Sequence, residues 1–116
     1  MNQKNIAIAE AYYVAVGEKN IAGIEKHLHP DVCFTAPFAK LSGKNAVLEA
    51  AKEFTKLFKT LTIRAKFGSE DQAMIVYDLD CPMLNGVVSA AVLMSLHDGF
   101  ITKIEIFYDP RPFERS

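Results

Sequence analysis

Residues 72–108 decide the fold, and they read QAMIVYDLDCPMLNGVVSAAVLMSLHDGFITKIEIFY. Three runs in this stretch, 72–81, 87–96 and 100–108, are rich in β-branched and other apolar residues, as strands are. The Asn85-Gly86 pair and the short turn at 97–99 separate the runs, and both are hairpin signals. The stretch therefore predicts three strands that pair antiparallel in chain order.

The residues before this meander predict two further strands and three helices. Residues 61–67 alternate apolar and polar side chains, and residues 31–36 are also strand-like. Apolar residues recur at helical spacing over 4–17, over 21–28 behind an Asn20 cap, and from 44 to about 58. The order helix, helix, strand, helix and four strands defines an α+β fold and excludes a doubly wound parallel sheet. The length of 116 residues predicts a single domain over 1–116.

Charge and composition exclude several classes of function. The chain carries 13 Lys and Arg against 14 Asp and Glu, so a nucleic-acid partner is not expected. Apolar runs are too short to span a bilayer, and the N-terminus does not resemble a signal peptide, so the expected location is cytoplasmic. No metal-ligand motif or Gly-rich phosphate loop occurs, and neither a metal nor a cofactor is predicted. Cys33 and Cys81 are interpreted as reduced, buried thiols.

The charges are unevenly distributed along the chain. Between Lys66 and Lys103 there is neither lysine nor arginine, although this window contains five acidic residues. Three of the acids lie in turn-like contexts and are expected to be solvated. The other two, Asp78 and Asp80, have apolar neighbours, which makes them candidates for a functional role.

Six short pieces, in this order and spacing, resemble the nuclear transport factor 2-like superfamily, and within it the SnoaL-like and ketosteroid-isomerase-like proteins. They cover nearly the whole chain and are Tyr13-Val14-Ala15, Asn20-Ile21-Ala22-Gly23-Ile24, His29-Pro30-Asp31-Val32, Leu41-Ser42-Gly43-Lys44, His97-Asp98-Gly99-Phe100-Ile101 and Phe107-Tyr108-Asp109. The resemblance implies a cystatin-like cone, in which a curved, mostly antiparallel sheet wraps around a helix and encloses a pocket. It implies no particular activity, because members of this superfamily include isomerases, cyclases, epoxide hydrolases and binding modules.

Two catalytic patterns of the superfamily are incomplete in this chain. The steroid isomerases pair a tyrosine, matched here by Tyr13, with a carboxylate base and a second acid. The position of the base is occupied by Ala36, and the second acid is missing near Val92. The limonene-epoxide-hydrolase pattern fails as well, because Asp78 replaces its arginine and Ile106 replaces its later aspartate.

The SnoaL-like cyclases, which use a carboxylate as acid and base, leave one catalytic hypothesis open. Asp78 and Asp80 lie two apart on a strand and share a face with Met74 and Val76. If that face lines the cone, the two carboxylates form a proton carrier, and Tyr13 donates a hydrogen bond to the substrate oxygen. The alternatives are solvated aspartates at the cone mouth and a tyrosine that only fills the core.

The remaining site candidates are ligand-binding residues. A small, mostly apolar ligand, neutral or cationic, is expected to contact Phe34, Phe54, Phe58, Val92, Tyr108 and Asp109. Asp109 has a turn or cap before a proline as its alternative role, and His97 is expected to be a solvated turn residue. Tyr12 is expected to pack outside the pocket. The runner-up function is a non-catalytic ligand-binding or protein-assembly module.

The strand at 72–81 also predicts a homodimer. Its second face, formed by Ala73, Ile75, Tyr77 and Leu79, is entirely apolar, while Met74 and Val76 make the first face partly apolar. A strand that is apolar on both faces has to be covered on both. Helices can cover one side, and a second copy of the chain, docked on the outer sheet face, is the simplest cover for the other.

Overall fold

The computed structural model describes residues 2–84, 86–109 and 111. Its helices are α1 (Asn2–Gly17), α2 (Ile21–Glu25) and α3 (Lys44–Phe54), and a single 3₁₀ turn spans Pro82–Leu84. Its strands are β1 (Leu28–Ala36), β2 (Ala39–Ser42), β3 (Thr60–Gly68), β4 (Gln72–Cys81), β5 (Gly86–His97) and β6 (Phe100–Tyr108). The predicted α+β class is therefore confirmed.

All six strands form one mixed sheet in the order β2-β1-β6-β5-β4-β3. Every neighbouring pair is antiparallel except β1 and β6, which run parallel. The predicted turn between β5 and β6 is confirmed: Asp98 and Gly99 have φ values of 52° and 83°, as a tight hairpin turn with two left-handed residues requires. Register shifts within β1–β6, β3–β4 and β5–β6 interrupt the ladders, and such irregularities bend a sheet.

Helices α1 and α3 cover different parts of one sheet face. Helix α1 packs on β3 and β4, whereas α3 packs on β1 and β2. Helix α1 packs so closely on β3 that a Cβ atom added to Gly68 would lie 2.5 Å from the Ile6 Cγ1 atom. The central strands β5 and β6 lie between the two helices, so the space above them is left for a cavity.

The elements differ from the prediction at three places: one strand was missed and two helices are shorter than predicted. Strand β2 was missed; it is only four residues long and is held by antiparallel pairing of Thr35 with Lys40 and Phe34 with Leu41. Helix α2 is shorter than predicted, since the chain joins β6 at Leu28 and a residue cannot serve both elements. Helix α3 ends at Phe54 rather than near Phe58, because Lys59 N–H donates to the Asp80 carbonyl and ties the segment to β4.

Several further expectations concern single residues. Both cysteines are free, but Cys33 is exposed and only Cys81 is buried, so the expectation of two buried thiols is wrong for Cys33. Within the ranges the structure describes, no helix is both long and apolar enough to cross a bilayer. Asn85 of the predicted 85–86 turn, and nearly all of the predicted irregular tail at 110–116, lie outside the described residues.

Candidate functional site

A cavity of about 450 Å³ lies over the middle of the sheet, between α1 and α3. Its wall is drawn from α1, the β1–β2 hairpin, α3 and the strands β4 to β6. The lining residues are Tyr12, Tyr13, Val16, Phe34, Ala36, Phe38, Ala39, Val47, Ala50, Ala51, Glu53, Phe54, Leu57, Tyr77, Leu79, Val88, Ala90, Ile106 and Tyr108. Apolar atoms therefore dominate the wall, as in most small-molecule sites.

Small side chains create the empty space. Alanines stand at five lining positions: Ala36, Ala39, Ala50, Ala51 and Ala90. Each of these side chains ends at Cβ, so the wall lacks the bulk that a leucine or phenylalanine would add. Because protein interiors otherwise pack densely, a void of this size has to be specified by such residues.

The four tyrosines of the chain all line this cavity. The rings of Tyr13 and Tyr77 are stacked with centroids 4.8 Å apart, and Tyr12 meets Tyr13 edge-on at 5.2 Å. Tyr108 contributes the fourth ring from the end of β6. The tyrosines thus supply most of the polar atoms in a wall that is otherwise apolar.

The tyrosine hydroxyls are held in their neutral form. Burial, then the neighbouring tyrosines, raise the pKa of Tyr13 well above its usual range, and burial raises that of Tyr12. Burial raises the pKa of Tyr77 to about 12, although a hydrogen bond from the Tyr13 hydroxyl partly lowers it. Burial also raises the pKa of Tyr108. These groups can donate hydrogen bonds at neutral pH, but they are poor proton acceptors there.

The structure brings four of the predicted site residues together at the cavity: Tyr13, Phe34, Phe54 and Tyr108. Two other predicted ligand contacts, Phe58 and Val92, are buried but do not line it. Phe58 packs against Phe54 with ring centroids 5.3 Å apart and lies under the Lys19 ammonium group. Val92 points into the core on the inner side of β5, where its side chain is fully enclosed.

Asp78 and Asp80 do not line the cavity, so the condition of the catalytic hypothesis is not met. Residues 73, 75, 77 and 79 form the inner face of β4, so Asp78 and Asp80 lie on the opposite face. The Asp78 carboxylate accepts hydrogen bonds from Ser89 Oγ at 2.6 Å and Arg64 Nη1 at 3.3 Å. Asp80 is exposed at the end of the strand. No proton carrier reaches the cavity from this pair of aspartates.

Asp109 was predicted as a ligand contact, but it also lies outside the cavity lining. Its exposed carboxylate accepts hydrogen bonds from the Arg111 backbone and guanidinium group, the shortest of them 2.7 Å. These hydrogen bonds lower the pKa of Asp109 to about 2. The geometry of Asp109 is therefore that of its alternative role, a local contact next to a turn. His97 is exposed beside Asp98, as a solvated turn residue should be.

Two of the four lining tyrosines, Tyr12 and Tyr77, were not recognised from the sequence as pocket residues. Tyr12 was expected to pack outside the pocket, but both it and Tyr13 reach the cavity. Adjacent helical residues point about 100° apart, so both can line it only because the cavity is wide where α1 borders it. Tyr77 was assigned merely to an apolar strand face, although a tyrosine on a buried face is itself a signal for a polar group at an apolar site.

Among the residues that the structure describes, no cluster of three or more histidines, cysteines, aspartates or glutamates could hold a metal ion. Glu53 is the one charged side chain of the described cavity wall, and it forms an exposed ion pair with Lys56 at 3.0 Å. The geometry of the cavity is therefore that of an apolar pocket with phenolic donors and a single carboxylate.

A curved mixed sheet that encloses a pocket beneath its helices defines the class of cone-shaped α+β proteins. A model of the SnoaL-like domain matches residues 9–104, and the chain belongs to this family. No curated protein matches the sequence.

Several solved structures share the fold. A protein from Kribbella flavida DSM 17836 is 24% identical, with a TM-score of 0.89 and coverage of 95% of this chain and 90% of that one. A candidate ketosteroid isomerase from the same organism is 16% identical, with a TM-score of 0.80 and coverage of 93% and 79%. A candidate polyketide cyclase from Sinorhizobium meliloti is 18% identical, with a TM-score of 0.79 and coverage of 87% and 94%. At these identities the similarity establishes the fold alone.

Proposed function

We propose that this protein binds one small, mostly apolar molecule in the cavity between α1 and α3. The observation that carries the proposal is the cavity itself, whose volume of about 450 Å³ falls in the usual range for small-molecule sites. Its wall combines apolar side chains with a few polar groups at defined positions. Such a wall gains affinity from burying an apolar ligand and orientation from the phenols.

The tyrosine hydroxyls are the proposed polar contacts of the ligand. The Tyr13 and Tyr77 hydroxyls hydrogen-bond to each other within the apolar wall, and this pair is the proposed contact for a polar atom of the ligand. An oxygen of the ligand placed near this pair would accept a hydrogen bond from a phenol at a site buried from water. Because the phenols stay neutral, they fit a carbonyl or ether oxygen without proton transfer.

A second candidate is cofactor-free acid/base catalysis, such as isomerisation, dehydration or cyclisation. Its support is the similarity to chains named as a candidate ketosteroid isomerase and a candidate polyketide cyclase. Its difficulty is the missing base: Asp78 and Asp80 face away, and Glu53 is exposed at the rim. A general base has to come within hydrogen-bond reach of the proton it removes. We therefore favour binding without chemistry.

The binding proposal can be tested with a neutral fluorescent probe, N-phenyl-1-naphthylamine. The protein has no tryptophan and all its tyrosines line the cavity, so tyrosine fluorescence reports on the site directly. We expect saturable one-to-one binding with Kd of roughly 0.01–0.1 mM, together with a change in tyrosine emission. Absence of saturable binding by this probe would refute the proposal.

A matched pair of variants locates the bound probe. Ala90→Phe places a ring in the cavity from β5, and we expect it to abolish binding. Ala91→Phe adds the same ring one residue later, on the opposite sheet face, and should leave the affinity unchanged. Equal loss of binding in both variants would mean that the probe binds elsewhere. Circular dichroism of each variant checks that the fold is retained.

We also propose that the outer sheet face forms a homodimer. We define this face by the apolar residues that point away from the helices: Ala65, Phe67, Met74, Val76, Ala91, Leu93 and Phe107. Phe67 and Phe107 are 60% and 54% exposed, which is unusual for rings of this size in a sheet. Ala65, Val76, Ala91 and Phe107 are cross-strand neighbours, so they form a continuous apolar row.

Sedimentation velocity tests the dimer. We expect the wild-type chain to sediment as a dimer, and the Val76→Glu variant to sediment as a monomer because it buries a charge in the apolar row. Ser42→Glu, on the exposed edge strand β2, is the control and should remain dimeric. A wild-type monomer at tens of micromolar would overturn this proposal without affecting the one on ligand binding.

A further inference from the structure

The cavity wall is rich in aromatic rings and poor in positive charge. Seven lining residues are aromatic: Tyr12, Tyr13, Phe34, Phe38, Phe54, Tyr77 and Tyr108. Neither lysine, arginine nor histidine is found in the described wall, whereas Glu53 contributes a carboxylate at its rim. Aromatic faces carry negative electrostatic potential and attract cations. The Glu53 carboxylate and the faces of the aromatic rings therefore both favour a positively charged ligand.

The last turns of two helices also supply residues to the wall. The last turn of α3 brings Ala51, Glu53 and Phe54 to the cavity, and the last turn of α1 brings Val16. The C-terminal end of a helix has a partial negative charge from its carbonyl groups. The wall therefore includes residues that lie next to the C-terminal ends of both helices.

The distribution of basic residues along the chain also keeps positive charge away from the cavity wall. Strands β4 and β5, which supply Tyr77, Leu79, Val88 and Ala90 to the wall, lie entirely within the window that lacks lysine and arginine. Two basic side chains contact residues at or beside the cavity without lining it, and both already have partners. Lys19 donates to the Phe58 carbonyl at 2.7 Å, and Lys56 pairs with Glu53 at an exposed site.

We propose that the cavity is selective for organic cations with a diffuse charge, that is, tertiary or quaternary ammonium groups attached to an apolar body. The inference rests on the proposed ligand-binding function and specifies its ligand class. A quaternary ammonium group spreads its charge over methyl groups, so it loses less hydration energy on burial than a primary ammonium. Aromatic walls compensate for that loss through cation–π attraction, which a neutral ligand of equal shape does not experience.

Two probes of equal shape test this selectivity. Phenyltrimethylammonium and tert-butylbenzene differ in charge but hardly in volume, and each is titrated while tyrosine fluorescence is recorded. We expect the cation to bind about tenfold more tightly than its neutral isostere. Equal or tighter binding of tert-butylbenzene would overturn the inference and leave the proposed function intact. If N-phenyl-1-naphthylamine also fails to bind, the proposed function itself is refuted.

Two pairs of variants assign the selectivity to the wall. Glu53→Gln should reduce the affinity ratio of cation to isostere by about threefold, because it removes the rim carboxylate. Glu49→Gln, on the same helix and with the same type of lysine partner, does not line the cavity and should leave the ratio unchanged. Phe34→Leu should lower the affinity for the cation more than the affinity for its neutral isostere. Phe34→Tyr, which keeps the ring, should retain the wild-type affinity ratio. Ratios that stay constant in both Glu53→Gln and Phe34→Leu would contradict the proposed origin of the selectivity.

Discussion

The two faces of strand β4 differ in apolar content, and they differ further in what covers them. On the inner face, Ala73, Ile75, Tyr77 and Leu79 are at most 3% exposed, because α1 and the cavity wall enclose them. On the outer face, Met74 and Val76 are only half-buried, and Asp78 sits between them and the strand end. The comparison teaches that the entirely apolar face of this strand lies under the helix, whereas the face that carries the two aspartates does not. The cavity lies on the sheet face on which the helices pack, and the opposite face contacts solvent or a partner.

The largest expected difference between the faces concerns core packing. Ile75→Ala should lower the free energy of unfolding by about 2–5 kcal/mol, because the fully buried side chain leaves a void beneath α1. Val76→Ala, one residue later, should lower it by about 1 kcal/mol or less at protein concentrations where the chain is monomeric, since its side chain is half-buried within one protomer. Urea unfolding measures both values. Equal losses would mean that the outer face is as well covered as the inner one.

The inner face should also make the protein sensitive to alkali. The pKa of Tyr77 is raised to about 12 in the folded chain from the ordinary value of 10.0, and the pKa values of Tyr12 and Tyr13 are raised as well. Above about pH 10 the unfolded chain loses protons that the folded chain retains, so stability falls as the pH rises. Each such phenol should contribute roughly 1.4 kcal/mol per pH unit to this loss.

Urea unfolding at about pH 8 and at about pH 11 measures the alkaline effect, and near-ultraviolet absorbance follows phenolate formation. Stability should be constant up to about pH 10 and then decline. Native tyrosines should ionise only above the range in which the urea-unfolded chain does. Phenolate formation at the same pH in both states would show that the tyrosines are not buried as the structure describes.

A smaller contrast is expected when a hydroxyl is removed from either face. Tyr77→Phe deprives the buried Tyr13 hydroxyl of its acceptor and should cost about 1–2 kcal/mol of stability. Ser89→Ala removes a hydroxyl that donates to Asp78 at 2.6 Å on the outer face, where water can replace it, and should cost about 0.5 kcal/mol or less. Thermal unfolding of the two variants distinguishes these outcomes, and a larger loss for Ser89→Ala would reverse the assignment of the faces.

The smallest effect is expected at Asp78. Its ion pair with Arg64 is long and partly exposed, so Asp78→Asn should change stability by less than about 1 kcal/mol. Probe affinity should not change, because the carboxylate lies on the face opposite the cavity. A loss of binding in this variant with the fold retained would revive the hypothesis of a catalytic or ligand-binding aspartate.

Local sequence patterns predicted most of the elements but fewer of the site residues. The turn at 97–99 and strand β6 were predicted from residues that act on their own backbone, such as Gly99 with its positive φ. Strand β2 could not be predicted, because four residues have no periodicity of their own and depend on pairing with β1. Helix α3 was predicted too long, since the hydrogen bond that stops its continuation comes from β4, distant in the chain.

By itself, the sequence determined the α+β class, the alternation of each strand and the uneven distribution of basic residues, because these depend on neighbours along the chain. Tertiary structure alone decided which face of β4 points inward. Asp78 and Tyr77 are adjacent in sequence, and a strand sends adjacent side chains to opposite sides. Only the packing of α1 on Ile75 and Tyr77 turns one side into a cavity wall and leaves the carboxylate outside. The polar group that reaches the cavity is consequently a phenol and not the aspartate.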